Sequence, residues 1–168
     1  MLNYVDIFNR YGVPKGVVHC GAQLFHIRKL YLAYGLFNTI WIEPQQFFYD
    51  YGKSQLSGTD EKLYNFSITK QNTITDLFEQ EQIKSEDYNY LHISLPIYIR
   101  IGLDIFNNEL ENFKYITVEV TTNIDDEITD IKNVKNWFID KNYKLVDKRV
   151  VDNIGQLYFV KKRKYTKR

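Results

Sequence analysis

The sequence predicts an α/β protein built on a mixed, mostly parallel sheet, and three observations support this fold class. Short apolar segments alternate with segments of helical periodicity along most of the chain. The apolar segments are almost uninterrupted, which is typical of strands that are covered on both faces of a parallel sheet. The last two strand-like segments flank DNIG (152–155), a turn signal that predicts a closing antiparallel hairpin.

The first part of the chain is predicted to form a helix followed by a βαβ unit. The helices are indicated by apolar residues at helical spacing, and each is followed by a glycine that can end it. The strands are indicated by short runs of apolar residues that glycine or proline bounds. The predicted elements are a helix over 3–12, a strand over 16–20, a helix over 22–34 that Gly35 caps, and a strand over 38–43.

The middle of the chain is predicted to contain a hairpin over 54–68, because Gly58 and its neighbours form a turn between two alternating segments. The aromatic cluster FFYDY (47–51) precedes it and lies either in a loop or in a helix reduced to PQQFFYDYG (44–52). This cluster either packs over the sheet edge or forms an exposed patch for a protein partner. The remaining predicted elements are a helix over 72–83 capped by Thr73 or Thr75, strands over 90–95 and 114–120, a helix over 130–142, and paired strands over 143–151 and 156–162.

The composition is that of one soluble globular domain of 168 residues, with 44% hydrophobic and 26% charged residues. Cys20 is the only cysteine, so the chain has no disulfide framework, and the histidines are too scattered to predict a metal site. There is no apolar run of membrane length and no signal-peptide pattern, so we expect a cytoplasmic, intracellular protein without a membrane partner. The abundance of Tyr, Phe, Ile, Asn and Lys fits an AT-rich genome, such as that of a large DNA virus.

Positive charge is concentrated in VKKRKYTKR (160–168), which carries six cationic residues and leaves about −5 on the rest of a chain whose net charge is +1. We therefore expect a single domain over 1–162 and a basic tail over 163–168. The tail is either simply solvated or makes weak electrostatic contact with nucleic acid or an acidic partner surface.

Six motifs follow one another along the chain: GVVHCGAQ, WIEP, NTITDLF, YLHIS, ITVEV and GQLYFVKK. In order and spacing, from residue 14 to residue 161, they resemble the FkbM-like family of S-adenosylmethionine-dependent methyltransferases. The resemblance implies a Rossmann-like methyltransferase sandwich. It also implies S-adenosylmethionine as cofactor, with Gly21 and Ala22 in the turn beneath its methionine and ribose portion. Glu43 would accept hydrogen bonds from the ribose hydroxyls.

Each candidate residue also has a structural interpretation. A carboxylate at the end of the second parallel strand lies where a ribose diol can reach it, but Glu43 can equally be a solvated strand end. Gly21 can be a turn glycine that the backbone geometry requires. Glu119, which matches the family's "EVN" strand, either faces the cleft or makes a structural hydrogen bond. His19 and Cys20 end a buried strand and are predicted to be packed core residues.

The chain also departs from the family pattern at the ligand side of the fold. Phe25 stands where the family has a glycine, and Ser94 stands where it has an aspartate. Pro96, Ile97 and Ile99 replace the family's Gln, Gly and Glu, so this loop keeps no ionisable group to act as a base.

These departures predict a degenerate methyltransferase-like domain, catalytically weak or inactive, that acts as a binding or structural protein in an assembly. The alternative is an active O-methyltransferase that uses S-adenosylmethionine on a sugar or other hydroxyl acceptor. The cofactor is S-adenosylmethionine if the pocket is intact, and otherwise there is none. The catalytic base is unidentified in either case.

Overall fold

The computed structural model describes residues 4–94, 102–121, 127–151 and 154–162. In chain order, its helices and strands are α1 (Tyr4–Tyr11), β1 (Val17–Cys20), α2 (Arg28–Ala33), β2 (Thr39–Ile42), α3 (Gln46–Gln55), β3 (Lys62–Tyr64), α4 (Ile74–Gln80), β4 (Tyr90–Ile93), β5 (Tyr115–Thr121), α5 (Glu127–Asp140), β6 (Tyr143–Val151) and β7 (Ile154–Lys161). Short 3-10 turns cover Ser85–Asp87, Leu103–Phe106 and Leu110–Asn112.

The seven strands form one sheet in the order β3-β2-β1-β4-β5-β7-β6. The first five strands of this order run parallel to one another, while β7 runs antiparallel to both β5 and β6. The predicted fold class, a Rossmann-like mixed sheet with a closing antiparallel pair, is therefore confirmed. In such doubly wound sheets ligands bind beyond the carboxyl ends of the strands, where the strand order reverses, here between β1 and β4.

The two faces of the sheet differ in chemistry because neighbouring strands share the same register. One face is largely aliphatic and packs against α4 and α5, and its core includes Val18, Ile40, Leu91, Ile116, Leu77 and Phe138. The other face is rich in aromatic rings and packs against α1 and α2, and its core includes Tyr4, Tyr31, Trp41, Tyr90, Tyr115 and Tyr158. The register also aligns His19 with Trp41 on one side and with His92 on the other.

The helix predicted over 22–34 is wrong at its start, since α2 begins only at Arg28. Gln23 has a φ of 45° and Phe25 a φ of 56°, in the left-handed region that a right-handed helix cannot contain. Its end is as predicted, because Gly35 follows the helix with a φ of 74°. The side-chain spacing of this segment suggests a longer helix than the backbone forms.

The hairpin predicted over 54–68 is also wrong. The segment contains the end of α3, a turn at Gly58, and β3, which pairs parallel to β2. Parallel neighbours need a crossover connection, and α3 supplies it. The aromatic cluster 47–51 consequently lies on a helix and not in a loop, and Phe47 remains 75% exposed.

The start of α4 follows the predicted capping chemistry, with Thr73 as the N-cap. The Thr73 hydroxyl accepts a hydrogen bond from the Asp76 amide at 3.1 Å, and the Asp76 carboxylate accepts one from the Thr73 amide at 2.7 Å. This reciprocal pair is a capping box. Within the described parts of the chain, none of the helices is long and apolar enough to cross a membrane.

Candidate functional site

The loop between β1 and α2 has the backbone of a glycine-rich loop although it contains one glycine. Gly21, Gln23 and Phe25 have φ values of 84°, 45° and 56°, so every second residue is left-handed. Glycine adopts this conformation freely, whereas a residue with a side chain pays about 1–2 kcal/mol for it. Contacts elsewhere must therefore hold Gln23 and Phe25 in place.

Phe25 is held by the core beneath α3. Its side chain is 6% exposed, and its ring centroid lies 4.9 Å from that of Trp41. A Cβ atom added to Gly52 would lie 2.5 Å from Cε2 of Phe25 and 2.8 Å from Cδ2 of Leu63. The Phe25 ring thus lies between Trp41 and α3, and Gly52 is the residue that leaves room for it.

Glu43 lies at the end of β2, where the sequence places it, but it is only 1% exposed. Its Oε2 accepts a hydrogen bond from the Gln23 amide at 2.8 Å, and its Oε1 accepts one from the Gln45 amide at 2.8 Å. The Glu43 carboxylate therefore ties the β1–α2 loop to the start of α3. Its predicted contact with a ribose stays a prediction.

Gly21 and Ala22 lie in the same hydrogen-bonded turn as Glu43. Both are buried, and their amides donate to the carbonyl oxygen of Ile42 at 2.8 and 3.3 Å. The structure thus brings the three predicted cofactor residues together at the carboxyl ends of β1 and β2. Their contact with a cofactor stays a prediction.

Among the described residues, one small cavity lies beside this turn. A cavity of about 10 Å³ lies there, lined by Cys20, Gly21, Ile42, Pro44, Phe66, Ser67 and Ile68. A single water needs about 10–15 Å³ measured in this way, so the cavity holds at most one. The replacements at Pro96, Ile97 and Ile99 lie outside the described residues.

A chain of polar side chains runs through the aromatic face of the sheet, and we call it the buried polar chain. His19 Nδ1 lies 3.0 Å from the Tyr31 hydroxyl, which lies 2.7 Å from His92 Nδ1. The two imidazole rings also stack, with centroids 4.3 Å apart. His92 Nε2 then approaches Oε1 of Glu119 at 3.5 Å. His19 is a packed core residue, as predicted, but it belongs to a polar network.

Glu119 forms the partly open end of the buried polar chain, with a side chain that is 17% exposed. Ser94 donates its hydroxyl hydrogen to Oε2 of Glu119, and Gln156 donates to Oε1 at 2.9 Å. The residue that replaces the family's aspartate is therefore hydrogen-bonded to a carboxylate from the next strand. An ionisable group, Glu119, therefore does lie beside the end of β4, but it belongs to β5.

The contacts of Glu119 in the buried polar chain make it a weak base. Burial opposes its ionisation, but the contacts with His92, Ser94 and Gln156 outweigh burial and hold its pKa well below the usual range. A carboxylate with so low a pKa takes up a proton poorly at neutral pH. Burial, together with the electrostatic effect of the neighbouring His92 ring, lowers the pKa of His19, so the His19 ring is neutral at pH 7.

Cys20 has no reactive character in this environment. Its side chain is fully buried, and burial raises the pKa of its thiol far above the usual value. The thiolate is the reactive form of cysteine, so this residue is an inert part of the core, as predicted. Among the residues that the structure describes, no cluster of three His, Cys, Asp or Glu side chains is arranged to hold a metal ion.

Replacing Glu119 with Gln is expected to reduce the loss of stability in acid. The folded protein binds a proton at Glu119 less readily than the unfolded chain does, so this stabilisation is present above the usual pKa of 4.5 and lost as the pH falls below it. The free energy of unfolding of the variant should fall less steeply there, by up to about 1.4 kcal/mol per pH unit. Urea titrations from pH 6 to about pH 3 measure the slope. An equal change from Glu86→Gln, at an exposed carboxylate, would contradict the assignment.

The sequence does not predict the buried polar chain, because its members lie on different strands and on α2. His19, Trp41 and His92 each occupy the third position of a four-residue strand, in VVHC, TIWI and YLHI. Aligning these strands from their first residues would have placed the three side chains in one row. The contribution of Tyr31 had no such signal, since it depends on how α2 crosses the sheet.

No family model matches this chain, and no curated protein matches it. Solved structures do match it over nearly its whole length. M. capricolum TrmK, in complex with S-adenosyl-homocysteine, aligns with a TM-score of 0.63 and 12% identity over 98% of this chain and 70% of its own. A ribosomal protein L11 methylase from Lactobacillus delbrueckii subsp. bulgaricus aligns with a TM-score of 0.65 and 10% identity over 95% of this chain and 77% of its own.

An rRNA methylase from Escherichia coli aligns with a TM-score of 0.60 and 15% identity over 95% of this chain and 62% of its own. This chain has a methyltransferase fold. The similarity covers the single sheet and the helices on both of its faces, so the fold predicted from the motifs is confirmed. The finer resemblance to the FkbM-like family has no match among family models and stays a prediction.

Proposed function

We propose that this chain is a degenerate methyltransferase-like domain that has lost cofactor binding and acts as a binding or structural protein. The observation that supports this proposal is the bonding of Glu43. A carboxylate that receives a ribose diol must be reachable by hydroxyl donors, but each oxygen of Glu43 already accepts a backbone amide and the carboxylate is buried among the described residues. With the side chain 1% exposed, the described residues at this edge do not fit S-adenosylmethionine.

Two further features support the same proposal. The cavity beside Gly21 has room for about one water, and the loop carries Gln23 and Phe25 at two of its three left-handed positions. The carboxylate beside Ser94 has a depressed pKa, which suits a structural acceptor better than a general base. The motif order still resembles the FkbM-like family, so we infer that the fold was kept while the site changed.

The alternative is an active O-methyltransferase that acts on a sugar or another hydroxyl acceptor. The partly exposed pair of Ser94 and Glu119 favours it, because this pair lies at the carboxyl ends of β4 and β5, beside the point where the strand order reverses. The complex of TrmK with S-adenosyl-homocysteine also shows that a protein of this fold binds that cofactor product. In this alternative Gly21, Ala22 and Glu43 hold the cofactor.

Calorimetric titration of the folded chain with S-adenosylmethionine and with S-adenosyl-homocysteine tests the proposal. We expect no binding heat at about 1 mM ligand, a concentration that detects even a binding free energy of about −4 kcal/mol. M. capricolum TrmK, measured in the same buffer, is the positive control. Binding of either ligand with a micromolar Kd would overturn the proposal and favour the enzyme.

A further inference from the structure

A basic groove crosses the surface where the end of α1 meets β6 and β7. Its volume is about 580 Å³, and it is lined by Arg10, Tyr11, Lys114, Asn142, Lys144, Val160, Lys161 and Lys162. Of these described lining residues, five are cationic and none is acidic. The neighbouring groove at Asp6 and Asp147 has mixed charge, so the excess of cations is specific to this one.

The basic groove lies at the opposite edge of the sheet from Glu43. Lys114 directly precedes β5, and Lys161 ends β7, which runs antiparallel to β5. Both residues therefore lie at the amino edge of the parallel strands, whereas Glu43 follows the carboxyl end of β2. A function of this groove is independent of whether the cofactor edge is open.

Aromatic rings position several of the groove's cations. The Lys114 ammonium lies 4.6 Å from the centroid of the Tyr115 ring and donates a hydrogen bond to the carbonyl of Tyr11 at 2.9 Å. The Lys144 ammonium lies 4.7 Å from the centroid of the Tyr11 ring. Contacts of this kind restrict the flexible lysine side chains before any ligand arrives, which lowers the entropy lost on binding.

Positive charge is also concentrated in the part of the sequence that begins with Lys161 and Lys162. Lys162 is followed directly by four further cationic residues, Arg163, Lys164, Lys167 and Arg168, while the chain as a whole carries a net charge of only +1. Cations concentrated in one region of a nearly neutral protein create a local positive potential that attracts polyanions. Two of the groove's lysines, Lys161 and Lys162, thus begin the stretch of the sequence that is richest in cationic residues.

We propose that the basic groove binds the phosphodiester backbone of a single-stranded nucleic acid. A positively charged groove that follows the backbone is one of the two features by which proteins hold single strands, the other being aromatic rings on which bases stack. Duplexes are read instead by protein elements that protrude into their grooves. An acidic protein partner fits less well, because protein interfaces depend on buried apolar or aromatic anchors. Here Val160 is buried, and the Tyr11 ring is covered by Lys144.

The test is the double variant Lys144→Glu/Lys162→Glu, since both residues are exposed. The probe is a fluorescein-labelled oligouridylate of about 16 nucleotides, the upper end of the site size of one single-strand-binding fold. We expect its Kd, measured by anisotropy, to rise at least about tenfold on reversal of two charges. We also expect the slope of log K against log salt to become shallower by about 1.4, because each phosphate contact in a single strand contributes about 0.7.

The matched control is Lys132→Glu/Lys135→Glu, which reverses two exposed charges on α5 and should change the Kd by less than about twofold if the groove is the site. Equal weakening by both double variants, or no binding by the unmodified chain, would overturn the proposal. Tighter binding of a duplex of the same length would overturn the single-strand assignment. Displacement of the RNA by polyglutamate at equal charge concentration would assign the groove to an acidic protein instead.

Discussion

Glu43→Ala is expected to lower the free energy of unfolding by about 3–6 kcal/mol, because two hydrogen bonds to a charged group are lost and each contributes about 1.5–3 kcal/mol. The carboxylate accepts the amides of Gln23 and Gln45, and both lose their acceptor in the variant. The left-handed loop is then no longer tied to the start of α3. Urea unfolding monitored by circular dichroism measures the effect.

Two matched variants separate this role from a general effect of removing a glutamate. Glu43→Gln keeps one acceptor oxygen and should lose about half as much stability. Glu79→Ala removes an exposed carboxylate from α4 and should change the free energy of unfolding by less than about 0.5 kcal/mol. If Glu43→Ala were as stable as the unmodified protein, Glu43 would have to be reassigned from a structural acceptor to a ligand residue.

Phe25→Ala is expected to lower the free energy of unfolding by about 3–5 kcal/mol, the usual range for emptying the space of a buried phenylalanine. The sharper expectation concerns Gly52, whose added methyl group would meet Cε2 of Phe25 at 2.5 Å. Gly52→Ala alone should destabilise the protein by about 1–3 kcal/mol through overpacking. In the Phe25→Ala background the end of the Leu63 side chain, 2.8 Å from the added Cβ, can move into the vacated space. The same change should then stabilise the protein by about 0.5–1 kcal/mol, because alanine is the better helix former.

This reversal of sign is measured by a double-mutant cycle of urea unfolding. Gly58→Ala is the control, because Gly58 has a φ of 78° and a Cβ there would meet no atom within 4 Å. Its cost comes from the backbone alone and should not depend on residue 25. Additive effects of Gly52→Ala and Phe25→Ala would contradict the packing described between α3 and the loop.

The parts of the fold that local chemistry specifies were predictable. The strand around His19, the cap at Thr73 and the glycine after α2 each depend on residues within a few positions in sequence. The segment with α3 and β3 was not, because the turn at Gly58 suits a hairpin and a helix-to-strand connection equally well. The decision between them depends on pairing with β2, which is distant in sequence.

Part of the candidate site could likewise be predicted from the sequence, and part could not. The position of Glu43 at a strand end followed from the sequence, but its partners did not, because they are backbone amides whose direction no residue type reveals. The pairing of Ser94 with Glu119 depends on the register between β4 and β5. The burial of Phe25 depends on the space that Gly52 leaves in α3, and these two residues are distant in the sequence.

The left-handed backbone at positions 23 and 25 has a consequence for how this loop can change. Glycine would adopt both conformations without strain, so deleting two side chains would give a loop of three alternating glycines without rotating a peptide plane. The backbone geometry of a glycine-rich loop is thus present without its second and third glycines, and conversion to such a loop is a matter of side chains alone. The free-energy cost would come from the hydrophobic core under α3, where the Phe25 ring fills the space beside Gly52 and Trp41.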